Sequence, residues 1–359
     1  MSQLSIPSTQ GAVILKQIGK PLEWSQLPVL APGEDEVLVK VHAAGLVPID
    51  WELRDHGILS IRERLPAVLG FEGVGTIVRQ GTEGSIKFPI GTKVIFKGGA
   101  TQASPFLYGA LQEYVPTQSR YLAAVPEDCT SEQAATLSIN PFTAAVCLFH
   151  EAGINIPLPS SSRASSYDYS SQSLVVLGAG TSVGKFIVQF ARIVGFRMIV
   201  AIASPSSLID LKSYGATHLI DRHSPDIVAQ VLEAVANDLK YVIDATPGAN
   251  AEPDRNLEFF KRPGGTLVQL SVGESFKESS KSAAAVKGVN LKRIFADYSI
   301  QPDFATEWVP LFQTWLGEKK IQIPSFEVIP ALDASKVNAA LDDIKAAKSG
   351  VRYVVKIST

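Results

Sequence analysis

The segment Leu174-Val-Val-Leu-Gly-Ala-Gly-Thr-Ser-Val-Gly-Lys185 constrains the fold of this chain more than any other. Four apolar residues run into Gly178, Gly180 and Gly184, and a helix with an apolar face follows (Phe186, Ile187, Val188, Phe190, Ala191, Val194). Glycines there let the backbone turn tightly and approach a pyrophosphate. The first N–H groups and the positive dipole end of the helix then hold that group. A dinucleotide is the ligand such a turn suits. The spacing is G-x-G-x-x-x-G instead of G-x-G-x-x-G, so a turn that only packs strand on helix also satisfies these residues.

The next hundred residues support the first reading. Arg197 to Ala203 reads as a second buried strand, Ser207 to Tyr214 as a helix and Gly215 to Asp221 as a third strand. A helix (Ile227 to Asn237), a strand (Leu239 to Ala245) and a further strand ending at Leu270 follow. Short apolar runs alternating with amphipathic helices predict a parallel sheet covered on both faces, and right-handed crossovers make it doubly wound. The end of the second strand bears on the cofactor. An NAD site usually has Asp or Glu there to accept from the ribose 2′-OH. This chain has Ser204-Pro205-Ser206-Ser207, with Lys212 later on the helix and Arg222 after the third strand. Hydroxyls and cations suit a 2′-phosphate, which a carboxylate would repel, so NADPH is expected. Ser204-Pro205 as a helix start, and Lys212 and Arg222 as solvated surface residues, remain alternatives.

With 359 residues, 46% hydrophobic and 19% charged, the chain has the balance of a two-domain globular protein. Its net charge of −2 argues against nucleic acid and anionic membrane partners. No signal peptide or membrane span is legible, so a cytoplasmic location is expected. The two cysteines, Cys129 and Cys147, read as buried thiols. The Ser- and Pro-rich stretch from Pro157 to Ser173 reads as a mobile surface insertion. The first 150 residues read as mostly β, with runs at Ala12 to Leu15, Val37 to Val41, Gly75 to Val78, Lys93 to Phe96 and Gln112 to Val115. Helices around Ser131 to Leu137 and Phe142 to Glu151 close this region. Such spacing predicts a partly open β-barrel. The terminal helix (Ala334 to Ala347) and strand (Val351 to Ile357) cannot form a core alone and are expected to return to the barrel. The expected division is 1–152 with 318–359 as the catalytic domain, and 153–317 as the nucleotide domain, with a site in the cleft between them.

Several segments resemble the medium-chain dehydrogenase/reductase superfamily along nearly the whole chain. Pro32-Gly-Glu-Asp-Glu-Val-Leu-Val-Lys-Val41 resembles its P-G-x-x-E-V-L-V-K-V segment. Gly70-Phe-Glu-Gly-Val-Gly-Thr-Ile77, Gly91-Thr-Lys-Val94 and Gly109-Ala-Leu-Gln-Glu-Tyr114 resemble three further segments in the family's order. The resemblance implies a GroES-like barrel with a Rossmann domain. Its zinc enzymes carry His where this chain has Phe71, a Cys near Leu46 and a four-Cys lobe that two cysteines cannot build. The chain is thus expected to be zinc-independent. Among zinc-free branches it most resembles the trans-acting enoyl reductases that serve fungal polyketide synthases. The matching segments are Ala44-Gly-Leu-Val-Pro-Ile-Asp-Trp51, Ile202-Ala-Ser-Pro205, Leu219-Ile-Asp-Arg-His-Ser-Pro225 and Ser349-Gly-Val-Arg-Tyr-Val-Val-Lys356.

That resemblance implies NADPH contacts at Pro48, Asp50, Gly180, Thr181, Ser182, Val183, Ser204 to Ser207, Lys212, Arg222, Leu270, Ser271, Ser349 and Gly350. It implies Thr143 beside the nicotinamide and substrate, a position that reads equally as an N-terminal turn residue of a helix. Glu52 stands where the relatives carry an active-site lysine, and reads either as a proton donor with a pKa raised by burial or as a solvated helix residue. The expected reaction is conjugate reduction of the C=C bond of an α,β-unsaturated carbonyl or thioester, free or carrier-bound, with a polyketide synthase as a partner. The alternatives are a quinone or alkenal reductase, a tailoring dehydrogenase or cyclase, and a non-enzymatic NADPH binder. A monomer is expected over a homodimer paired through edge strands near Thr266 to Leu270.

Overall fold

A computed structural model describes residues 6–82, 88–98, 108–236, 238–246, 252–270, 276–346 and 351–358. By backbone packing the chain divides into two compact units, 1–139 with 298–319 and 323–359, and 140–297 with 320–322. This packing groups 140–152 with the second unit and 298–317 with the first, apart from the expected boundaries at 152/153 and 317/318.

The first unit is built on the long strand Glu36–Gly45. One of its edges pairs throughout with Glu72–Gln80; the other pairs with Tyr114–Gln118 at its start and with Tyr353–Lys356 at its end. Register shifts at Leu38/Val39 and Val41/Ala43 bend the strand, so it serves three partners instead of one flat ladder. Lys93–Lys97 and Ala123–Ala124 extend this sheet on one side and Glu327–Ile329 on the other. A second sheet, Glu23–Pro28, Thr9–Leu15 and Ala67–Val68, joins it through the bridge between Ala12 and Gln112. Among the described residues the strands do not close into a ring, which agrees with a partly open barrel. The terminal helix Ala334–Lys345 and the strand Tyr353–Lys356 belong to this unit, as expected. Helix Pro48–His56 starts with Pro48 at a first-turn position and ends at Gly57 (φ 64°), a pairing that fits helix start and stop.

The second unit holds six parallel strands in the order His218–Asp221, Met198–Ala203, Ser173–Leu177, Tyr241–Asp244, Thr266–Leu270, Asn290–Ile294. Numbered along the chain this is 3-2-1-4-5-6, the doubly wound order of dinucleotide-binding sheets. Val175, Leu177, Val200, Ile202 and Val242 are buried against Ile227, Val231 and Phe259 in one core. Thr266–Leu270 is flanked on both sides, and Asn290–Ile294 next to it ends the order of the sheet among the described residues. The segment from Pro157 to Ser173 is a chain of short 3-10 turns instead of a free loop. Tyr169 Oη donates to Pro157 O at 2.8 Å, and Gln172 Nε2 to Asp168 O at 2.8 Å. Cys147 is buried, whereas Cys129 is only half-buried, and both are free thiols.

Candidate functional site: a glycine turn beside a serine-rich helix start

The glycine turn leaves strand Ser173–Leu177 where the strand order reverses, between that strand and Tyr241–Asp244. Gly178 has φ 62°, and a Cβ there would meet the Thr246 nitrogen at 2.7 Å. A Cβ on Gly184 would collide with the Gly178 carbonyl. Thr181 caps helix Ser182–Ile193, its Oγ1 accepting from Gly184 N–H at 3.0 Å. The first N–H groups of a helix have no intrahelical acceptor. With Gly184 taken by the cap, those of Ser182 and Val183 remain for an anion at this twelve-residue helix.

The second helix, Pro205–Tyr214, starts beside this turn. A Cβ on Gly180 would lie 2.7 Å from Ser207 Oγ, so the bare glycine leaves a cradle that a side chain would fill. Ser204 stands at the N-cap but does not cap the helix with its side chain. The hydroxyls of Ser204, Ser206 and Ser207 have no hydrogen-bond partner among the described residues. Asp221, in register with Ala203, turns Oδ1 to the His223 N–H at 2.9 Å. These donors, with no carboxylate aimed among them, fit a nicotinamide dinucleotide.

The outlying residues are less uniform. Arg222 is exposed; its N–H donates to Ala203 O at 2.9 Å and its Nε lies 3.2 Å from His223 Nε2. Lys212 occupies the last turn of helix Pro205–Tyr214, about 10 Å along the axis from Pro205. It therefore stands at the end away from Ser206. Leu270 closes its strand half-buried. Ser271, Ser349 and Gly350 lie outside the described residues. The sequence reading missed Lys185, which is only 7% exposed on the capped helix. A cation directly after the last glycine, inside an apolar face, was the available signal.

In the first unit, the Asp50 carboxylate is an internal strut. It is 0% exposed, Oδ2 accepts from Val47 N–H at 2.9 Å and Oδ1 from Gly70 N–H at 2.9 Å. Burial pushes its pKa up to about 7, against the pull of those two N–H groups, with the neighbouring Glu72 charge adding to the rise. Its side chain therefore fixes the chain around Pro48, which is itself exposed at the helix start. Glu52, on the same helix, is half-buried with Oε2 4.0 Å from His56 Nε2. Burial raises its pKa, Asp55 adds to this, and His56 and Lys345 oppose it. Lys345 also donates to Asp55 at 2.7 Å and lies 5.7 Å from the Trp51 ring centre. Glu72 is fully buried; it pairs with Arg352 and accepts the Ile139 N–H at 3.1 Å. Thr143 is the fifth residue of the helix Ile139–Phe149 and half-buried, among the fully buried Phe142 and its apolar neighbours. Among the described residues no group of three His, Cys, Asp or Glu side chains could hold a metal ion.

Residues 33–127 match the alcohol dehydrogenase GroES-like domain model and residues 182–313 the zinc-binding dehydrogenase model. The chain is 28% identical to the trans-enoyl reductase tndF of Aspergillus flavipes, over 96% of this chain and 98% of that one. It is 30% identical to the trans-enoyl reductase tazE of Aspergillus terreus, over 64% of this chain and 74% of that one. The CurK enoyl reductase structure superposes with a TM-score of 0.80 at 22% identity, covering 98% of this chain and all of that one, and confirms the fold. Glycine turn, strand order and these relatives agree: the chain belongs to the medium-chain dehydrogenase/reductase superfamily of oxidoreductases, in the family of the trans-enoyl reductases.

Proposed function

We propose that the protein is an NADPH-dependent, zinc-free enoyl reductase that saturates the C=C bond of an α,β-unsaturated carbonyl or thioester of the kind a polyketide synthase makes. The observation that carries the cofactor choice is the group of three unpaired seryl hydroxyls at a helix start beside the glycine turn, with Asp221 tied to its own loop. The trans-enoyl reductase relatives supply the reaction class.

Bound NADPH supplies a hydride for the β-carbon. The N–H groups of Ser182 and Val183 hold the pyrophosphate, and Ser204, Ser206 and Ser207 hold the 2′-phosphate. The Thr143 hydroxyl donates to the substrate carbonyl oxygen, where negative charge grows as the β-carbon is reduced. Glu52 then gives a proton to the α-carbon, a role that its raised pKa suits. Hydride and proton together add two hydrogens. No Lewis acid is required, in keeping with Phe71 in place of a histidine ligand and with only two cysteines.

The test is consumption of NADPH and of NADH against enoyl-pantetheine thioesters, free enones and quinones, with products weighed by mass spectrometry. A thioester or enone product two hydrogens heavier, formed faster with NADPH, is expected. Turnover of quinones alone, or NADPH bound but never consumed, overturns the proposal.

A further inference from the structure

Lys185 is a buried lysine that the mechanism above does not use. It is 7% exposed, and its ammonium has no hydrogen-bond or ion-pair partner among the described residues. Burial holds its pKa below the ordinary lysine value, and Asp210 opposes this in part without reaching ion-pair distance. The stem is enclosed, while Nζ is not among the fully buried atoms that lack a partner, so an anion from outside can meet the ammonium and offset the cost of its partial burial.

The register of two helices gives its direction. Helix Ser182–Ile193 packs along helix Pro205–Tyr214. At one end Gly180 meets Ser207. Farther along, Gln322 joins the pair, its N–H donating to Gln189 Oε1 at 2.8 Å and its Nε2 to Ser213 O at 3.2 Å. At the far end a Cβ on Gly215 would strike Arg192. Lys185, Gln189 and Arg192 are spaced i, i+4 and i+7, so all three lie on the face toward the second helix. Lys185 falls between the Gly180–Ser207 contact and the Gln189–Ser213 level. Helical side chains lean toward the N-terminus, which carries its stem toward Ser204, Ser206 and Ser207, whose hydroxyls are unpaired.

We propose that Lys185 is the cation that recognises the 2′-phosphate of NADPH and so sets its preference over NADH. The inference rests on the NADPH reading above and replaces Lys212 in that role. The other charges around the pocket are the exposed Arg222, Asp210 one turn along the second helix, and Asp221, which is held by the His223 N–H. None of these is both buried and unpaired.

The experiment is calorimetric titration of the full chain with adenosine 2′,5′-bisphosphate and with ADP, in wild type, Lys185→Met, Lys185→Arg and Lys212→Ala. Wild type is expected to prefer the bisphosphate. Lys185→Met should weaken the bisphosphate at least tenfold and leave ADP unchanged, while Lys185→Arg and Lys212→Ala keep the preference. Thermal melts accompany the titrations; Lys185→Met is expected to melt no lower than wild type, because a buried charge has been removed. If Lys185→Met weakens both nucleotides equally, or leaves the preference intact, the role of Lys185 is overturned while the NADPH reading stands. A wild type that binds ADP as well as the bisphosphate overturns both.

Discussion

At the scale of single residues, two acids two positions apart meet opposite surroundings. Asp50 is fully enclosed and Glu52 half-exposed on the same helix. The folded pKa of Asp50, about 7, lies above its unfolded value of 3.8. Between those values the folded chain holds a proton that the unfolded chain has released, so Asp50 favours the native state less as pH rises through that window. Asp50→Asn cannot accept both N–H bonds and should cost about 1–3 kcal/mol on the acid side. The gap in urea stability between wild type and variant should then narrow from pH 4.5 to pH 8. A constant gap would show that the carboxyl titrates as in a free chain. For Glu52 the readout is catalytic. Glu52→Gln should lower kcat about a hundredfold with little change in KM, and remove the loss of rate as pH rises through the raised pKa. Unchanged kinetics would make Glu52 an ordinary partner of His56.

At the scale of elements, the turn and the last strand differ in what holds them. In the turn, a methyl at Gly180 meets the Ser207 side chain, Oγ at 2.7 Å and Cβ at 3.0 Å, and Ala203 Cβ at 3.5 Å, whereas one at Gly184 meets the backbone of Gly178 and Ala179. Gly180→Ala should therefore fold with little loss yet bind dinucleotide at least tenfold more weakly. Gly184→Ala should lose about 1–3 kcal/mol of stability. Melting curves and nucleotide titration on the two variants separate these effects. The last strand is tied to Glu72–Gln80 by Arg352 and Glu72, which are 280 residues apart in sequence and 3% and 0% exposed at their side chains. Glu72→Gln removes the carboxylate that faces the buried Arg352 guanidinium and should cost about 3–5 kcal/mol in chemical denaturation; a cost within 0.5 kcal/mol would show that the pair contributes little.

At the scale of the whole molecule, the chain keeps the two-unit plan of a superfamily that includes zinc enzymes, with two cysteines in all and, among the described residues, no group of three His, Cys, Asp or Glu side chains that could hold a metal ion. Purified protein should contain far less than one zinc per chain by elemental analysis, and dialysis against EDTA should leave turnover unchanged. Stoichiometric zinc with loss of rate on chelation would overturn this. The β-rich first half, the alternation of strand and helix after Gly178 and the nucleotide turn were legible in the sequence. They rest on turn chemistry and on periodicities of two and 3.6 residues, which act over a few positions. The strands Glu23–Pro28 and Asn290–Ile294 were not, because their polar sequences become strands only through pairing with a neighbour. The sequence alone thus determined the fold class and the glycine turn that leads into the helix Ser182–Ile193. Only the tertiary structure decided that the enclosed Asp50 carboxyl accepts the Val47 and Gly70 N–H groups. It also decided that Lys212 stands in the last turn of its helix, that Lys185 is buried without a partner among the described residues, and that Glu72 meets Arg352. Burial and charge pairing depend on residues that folding brings together from distant parts of the chain, and no local pattern encodes them.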